Sequence, residues 1–324
     1  MSGELSVFLQ QLINGLAVGS TYALLALGYT MVFGVLRAIV FWQSELFMLG
    51  ALLCFVLLRW MGFTAGYSGT LVKQPTPIEV AMGMAVMFIA SALFATAVTL
   101  VLERLIVRPL RGKPEGVSVI TNLGGQLFLR YGAMAVFGMR PYGFPRFMPV
   151  ASIEIGGAVL TTLHVFIVGV AGILLLLLVY IVQKTDIGRA MRAVSEDWNM
   201  AAILGVDVDR TIQTVFLLSA SVAGATGLLW AMLYRQANFA MGTMTGIKAW
   251  TAAVLGGVGN VTGSALGGIF LGLVESLGTG YIQRFSGGLI GSEYRDSFSF
   301  IILVLVLILR PQGLFGEAVE TRGK

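Results

Sequence analysis

TDIGRAMRAVSEDWNMAAILGVDVD, residues Thr185–Asp209, is the stretch on which the reading of this chain turns. It lies between two apolar runs, Leu163–Val182 and Thr211–Leu233. A chain that only needs to turn between two buried segments does so in far fewer residues. The polar insert also carries the marks of regular structure, and it reads as two short helices. Ile187–Val194 puts Arg189 and Arg192 on a face with Ala190 and Ala193. Ser195 then suits an N-cap, because its hydroxyl can accept from an orphan backbone N–H. Glu196 and Asp197 follow in the first turn, where negative charge suits the helix dipole. Met200, Ile203 and Leu204 recur at i, i+3 and i+4 and make an apolar stripe. Gly205 falls where a helix ends on a left-handed residue. Such a stripe either lies on the membrane surface of its own protein or fits a groove on a cytoplasmic partner.

Composition sets the surroundings. Of 324 residues, 57% are hydrophobic and 11% charged, with a mean hydropathy of +0.88. Soluble domains carry about 25% charged residues. The expected class is therefore an all-α polytopic membrane protein, a single membrane domain over residues 1–324 with the polar loop 185–209. One cysteine, Cys54, leaves no disulfide framework and no thiol metal site. The lone histidine, His164, sits at the edge of a span and reads as an interface residue. No metal site and no cofactor are expected. The net charge of +5 is spread over loops and needs no nucleic acid. The first apolar run lacks a basic leader and a small-residue cleavage site, so it reads as retained structure.

The apolar runs are Phe8–Leu36, Leu46–Met61, Ile78–Leu102, Val117–Met139, Leu163–Val182, Thr211–Leu233, Thr251–Ile282 and Ser297–Leu309. Since about 20 residues cross a bilayer, about eight spans are expected. Two runs read as interrupted. The fourth contains Asn122, Gly124, Gly125, Gln126 and Arg130. The seventh contains Gly256, Gly257, Gly259, Asn260 and Gly263, and invites a re-entrant pair. Non-helical backbone at membrane depth is tolerated only inside protein or beside a cavity, so a transport path is expected at such breaks. Tight helix packing is the plainer use of the same glycines. Arg104, Arg108, Arg111 and Lys113 in one loop, and Lys184, Arg189, Arg192 and Arg210 in another, put both loops on the cytoplasmic side. The segment Arg140–Thr162 then faces outward and has the look of a short hairpin.

Chemistry-bearing motifs are few. There is no phosphate-binding glycine loop and no metalloprotease or nucleophile-elbow motif, so no enzyme is expected. Intramembrane polar residues mark function by default. Gln43, Ser44 and Glu45 open the second run, with Trp42 before them. Asn122 and Gln126 lie in the fourth, and Gly256, Gly257 and Asn260 in the seventh. These nine are the candidate substrate path. Ser44 before Glu45 equally suits a helix cap. Glu275, with a basic residue on a neighbouring helix, suits a packing pair, and Lys248 precedes the broken segment. A secondary transporter would place relay residues in several helices. Here they are sparse, which favours a permease powered from outside.

Several stretches together resemble the inner-membrane permease subunits of branched-chain amino-acid ABC importers. They include Asn14-Gly15-Leu16 with Gly19-Ser20-Thr21-Tyr22, and Glu45-Leu46-Phe47-Met48-Leu49-Gly50-Ala51. They also include Gly188-Arg189-Ala190-Met191-Arg192-Ala193, Ala201-Ala202-Ile203-Leu204-Gly205-Val206, Gly246 to Gly257, and Arg310-Pro311-Gln312-Gly313-Leu314-Phe315. The resemblance implies a bacterial inner-membrane location and a second, related permease subunit. It also implies two cytoplasmic ATP-binding subunits and a periplasmic substrate-binding protein. It makes the loop 185–209 the coupling loop, with Arg189, Arg192, Ala193, Glu196, Met200, Ala201, Ile203, Leu204 and Gly205 as ATPase-coupling residues. One departure stands out. Where the family has an Asn-Phe-Ala-His-Gly-like stretch, this chain has Val40-Phe41-Trp42-Gln43-Ser44. That leaves urea or short amides open as solutes beside branched-chain amino acids.

Overall fold

The computed structural model describes residues 2–64, 66–110, 113–149, 151–285, 295–310 and 312–316. Among them, six helices are long and apolar enough to cross a membrane: Glu4–Leu36, Gln43–Trp60, Pro77–Leu110, Thr162–Lys184, Val208–Tyr234 and Val261–Ile282. A shorter apolar helix covers Ser299–Leu309. The protein is an all-α polytopic membrane protein, as its composition requires. Its contacts divide it into two compact units. One holds residues 1–30, 151–179 and 248–324; the other holds 31–150 and 180–247.

The core of the second unit is α2 (Gln43–Trp60), α3 (Pro77–Leu102) and α9 (Val208–Tyr234). They meet at small residues. A Cβ on Gly50 would overlap the backbone of Gly224, and one on Gly224 would overlap the Ser91 carbonyl. In lipid no hydrophobic force drives helices together, so close backbone approach has to supply the contact. α3 starts on a full capping box, with Thr76 and Glu79 each accepting from the other's backbone N–H. It does not stop at Leu102. A π-helical turn, Glu103–Val107, and a last turn α4 (Arg108–Leu110) prolong it. The expected cytoplasmic loop is thus mostly helix, and Arg111 lies outside the described residues. In the π-helical register, bonds run from i to i+5. Glu103 and Arg108 stand at that spacing, and the buried carboxylate takes the guanidinium Nε at 3.0 and 3.1 Å.

The fourth apolar run is a correction. It forms one continuous helix, α5 (Glu115–Phe137), with no break at Gly124 or Gly125. A single glycine costs a helix only about 1 kcal/mol, too little to break one already in contact with α2. At the far end of α2, the strand Tyr142–Gly143 (β1) pairs with Gln236–Ala237 (β4). The chain between Tyr234 and Met241 is therefore non-helical.

In the first unit, α1 (Ser2–Leu36) contributes its N-terminal part and α11 (Val261–Phe285) packs on it. A Cβ on Gly272 would overlap the backbone of Gly19, and one on Gly19 would overlap the backbone of Ile269. The expected hairpin forms as β2 (Ser152–Ile155) with β3 (Ala158–Thr161). Gln10 holds it, its Oε1 accepting from Val159 N at 2.7 Å. α6 (Thr162–Lys184) opens with the His164 ring 2.6 Å from the Thr161 hydroxyl. The break in the seventh run lies at the expected glycines, but the helix before it starts earlier than expected. α10 (Met241–Gly256) begins ten residues before Thr251 and ends at the turn 257–260, after which α11 starts. The chain closes with α12 (Arg295–Leu309), and Leu314 N then returns to Leu255 O at 2.7 Å. Pro311 lies outside the described residues.

Candidate functional site

The loop 185–209 folds as two helices, with boundaries one residue or two from those expected. α7 (Asp186–Glu196) is capped by Thr185, whose hydroxyl accepts from Gly188 N. α8 (Trp198–Ile203) is capped by Asp197, which accepts from Asn199 N and Met200 N at 2.7 and 3.0 Å. Ser195 is therefore not the cap. It lies inside α7 and its hydroxyl donates to the Arg192 carbonyl. A carboxylate is the stronger acceptor for two amides at once, which favours Asp197 for the role. Gly188 permits the tight entry, since a Cβ there would overlap the Val182 carbonyl.

The loop has an inner and an outer face. Met191, Val194 and Ala201 are buried, and both helices lean on α9. Arg192 turns back and donates to the Val182 carbonyl at the end of α6. Arg189 pairs with Asp186 in the same helix. Met200, Ile203 and Leu204 do the opposite: they are 60%, 78% and 80% exposed. Glu196 is exposed beside them, and Ala193 is half-buried. Gly205 follows with φ +86° and open space around it. Of the nine residues read as one coupling set, the structure thus presents the apolar edge outward and buries Ala201, while Arg192 stays exposed and is tied back to the end of α6.

The start of α2 gathers most of the second set. Glu45 is fully buried. Its Oε1 accepts from Gln126 Nε2 at 3.2 Å and from the Thr243 hydroxyl at 3.0 Å. Its Oε2 has no hydrogen bond and lies against Gly242, in the first turn of α10. A helix's first turn is the positive end of its dipole. Trp42 is fully buried, stacked on Phe216 with ring centroids 5.5 Å apart. Its indole N–H donates to Asn122 Oδ1 at 2.9 Å. Asn122 in turn donates to the Ser118 carbonyl. Gln43 and Ser44 are buried too; Gln43 Oε1 has no donor, and the Ser44 hydroxyl donates to Phe41 O. Arg130, one turn beyond Gln126, leaves its buried Nε unbonded. Its guanidinium carbon lies 5.9 Å from the ring centroids of both Tyr131 and Phe239.

Thr243 and Arg130 belong to this cluster although neither was in the expected path set. Arg130 was legible as a charge inside an apolar run. Thr243 was not, because nothing local marks it. Gly256, Gly257 and Asn260 belong to the first unit and serve its C-terminal return. Asn260 accepts from Gly263 N and donates to Phe315 O, while Gly257 abuts Gly316. The same unit holds a buried ionic group. Lys248 Nζ stands 2.9 Å from Glu275 Oε1 and 2.6 Å from Asp296 Oδ1. Ser299 donates to the other Glu275 oxygen at 3.0 Å. Lys248 is thus the basic partner expected for Glu275.

A helical membrane body that offers an exposed, capped amphipathic segment, and buries an incompletely bonded polar cluster, has the build of a multi-pass membrane permease. The chain belongs to the family described as the permease component of the branched-chain amino acid transport system, which matches residues 11–307. It is 35% identical to the high-affinity branched-chain amino acid transport system permease protein LivH of Escherichia coli (strain K12), over 98% of both chains. It is 34% identical to BraD of Pseudomonas aeruginosa, a permease protein of the same description, over 97% of both chains. A shorter match, 32% identical over 39% of this chain and 35% of the other, links it to the fructose import permease protein FrcC of Rhizobium meliloti. No solved structure matches it.

Proposed function

We propose that this chain is a transmembrane subunit of an ATP-binding-cassette importer in the bacterial inner membrane. It pairs with a second, related permease. Two cytoplasmic ATP-binding subunits drive the pair, and a periplasmic binding protein delivers the solute. The observation that carries this reading is the exposed edge Met200, Ile203 and Leu204, ended by Gly205. A helix of this kind, apolar on its free side and anchored on the other, is what a groove in a partner accepts. Membership of the permease family supports the same reading.

The solute is a branched-chain or other hydrophobic amino acid. The Glu45 cluster supports this chemically. Glu45 Oε2 and Gln43 Oε1 are acceptors without donors, fit for an ammonium group, and Arg130 Nε is a donor without an acceptor, fit for a carboxylate. A buried polar atom left unbonded in the empty protein costs about 1–3 kcal/mol, which a passing zwitterion can relieve. A second reading, urea or a short amide, is favoured by Gln43 and Ser44 where the family has His and Gly. Co-expression with the partner subunits, followed by ATP-driven uptake into proteoliposomes with leucine, urea and acetamide in competition, decides between them. Uptake by this chain alone, driven by an ion gradient and indifferent to ATP, would falsify the importer reading.

A further inference from the structure

One cavity of the second unit reaches the polar cluster only at Asn122 and the loop 185–209 only at Trp198, and the proposed function gives it no role. The end of α1, the turn into α2, the end of α3, the first turns of α5, and Trp198 of α8 enclose about 340 Å³. Small-molecule sites run from about 300 to 1,000 Å³. Leu36, Ile39 and Leu110 give it apolar walls, and Arg37 and Lys113 add two cations. No carboxylate lines it among the described residues. The acid in the adjoining turn, Glu103, is engaged by Arg108.

Arg37 is placed with unusual definition for a surface cation. Its φ is +56°, uncommon for a residue with a side chain. The turn carries the guanidinium to the Ser195 carbonyl in the last turn of α7, at 2.9 Å. Only Nη2 is used there. Trp198 makes the reverse tie, its indole N–H donating to Val35 O at 3.1 Å. Both hydrogen bonds between the end of α1 and the coupling segment therefore start from side chains that line the cavity.

We propose that this cavity is a binding site for a small organic anion with a short apolar body, and that its occupancy fixes the coupling segment. The anionic group takes the free edge of the Arg37 guanidinium and the Lys113 ammonium, while Nη2 stays on Ser195. Bonds of this charge-assisted kind are about twice as strong as neutral ones. The apolar body covers Leu36, Ile39 and Leu110. An inorganic anion would leave those walls wet, and a purely apolar molecule would leave the cations unmatched. An apolar amino acid or its 2-oxo acid, accumulated on the inner side, has this chemistry. So does the headgroup end of an anionic lipid. Binding stands independently of the ATPase-docking reading; only the consequence for coupling rests on it.

The test uses the full-length chain in a neutral detergent and needs no partner subunit. Isothermal titration with leucine, with 4-methyl-2-oxopentanoate and with a short-chain phosphatidylglycerol reads the binding. Saturable binding is expected, weakened at least tenfold by Arg37→Gln and by Lys113→Gln, and abolished by Leu110→Trp, which fills the space without changing charge. Unchanged far-UV dichroism and elution establish that the variants are folded. Binding of the lipid alone, with the same dependence on both cations, supports the site and assigns it to a headgroup. No saturable binding of any probe, or an affinity in both charge variants equal to that of the unaltered chain, overturns it. Hydrogen exchange over residues 195–204 is expected to slow on saturation. Unchanged exchange removes the link to the coupling segment.

Discussion

Gly205 shows how much a single position can decide. Its φ of +86° lies in the left-handed region, which costs a residue with a side chain about 1–2 kcal/mol. Nothing crowds the site, so the cost is conformational and not steric. Gly205→Val is expected to leave expression and membrane insertion intact while moving Ile203 and Leu204 off their placement. ATPase stimulation by loaded binding protein is the readout, and normal stimulation would remove the role given to this residue. Trp42 is a different case. It is buried, stacked on Phe216 and bonded to Asn122. Trp42→Ala removes a large buried ring, a change that costs about 3–5 kcal/mol in a core, and exposes the Asn122 oxygen to a missing donor. Lower thermal stability in detergent is expected together with altered uptake selectivity. Trp42→Phe restores stability but not the hydrogen bond, so comparing the two separates packing from solute choice.

At the scale of the element, α7 and α8 behave as one device with two faces. The inner face, Met191, Val194 and Ala201, belongs to the fold. The outer edge does not. Replacing Ile203 and Leu204 together by Asp touches nothing buried, so thermal stability should change little. Co-purification with the ATP-binding subunit is expected to fall at least tenfold, the loss of about 1.4 kcal/mol or more. Retained co-purification would place the docking surface elsewhere. α10 is the other element whose limits matter. Its first turn meets the Glu45 carboxylate, and its last turn is bonded by the C-terminal return. Glu45→Gln keeps the acceptor for Thr243 and Gln126 but removes the charge facing that first turn. A drop in uptake with little change in expression is the expected outcome, checked by transport in proteoliposomes.

For the whole molecule, charge inside an apolar body is the governing cost. Lys248 and Glu275 are both buried, at 7% and 0% side-chain exposure. Removing one partner of such a pair typically costs about 3–5 kcal/mol, because the other is left uncompensated. Lys248→Met should lower the unfolding temperature in detergent markedly, and Lys248→Met with Glu275→Leu should recover most of it. Equal stability of the single and double variants would mean the group contributes nothing as a pair. The two compact units are built alike in one respect. Each closes its helices on glycine contacts, Gly50 with Gly224 in one and Gly19 with Gly272 in the other.

The sequence by itself determined the class, the two helices of the loop 185–209 and their left-handed stop, because each rests on local patterns. Hydropathy, helical spacing and a glycine at a helix end act over a few residues. The break near residue 257 was legible for the same reason. Other features come from residues far apart in the chain, and only the tertiary structure decided them. Glu45 meets Gln126 and Thr243 across 81 and 198 positions, and no local pattern encodes a contact of that separation. Local rules also pointed the wrong way where neighbours outweighed them. α5 stays helical through Gly124 and Gly125, α3 runs past Leu102 on a π turn, and Asp197 takes the cap from Ser195. For α5 the preference overridden is about 1 kcal/mol per glycine, while Ser195 and Asp197 are comparable caps and the tertiary setting chose between them.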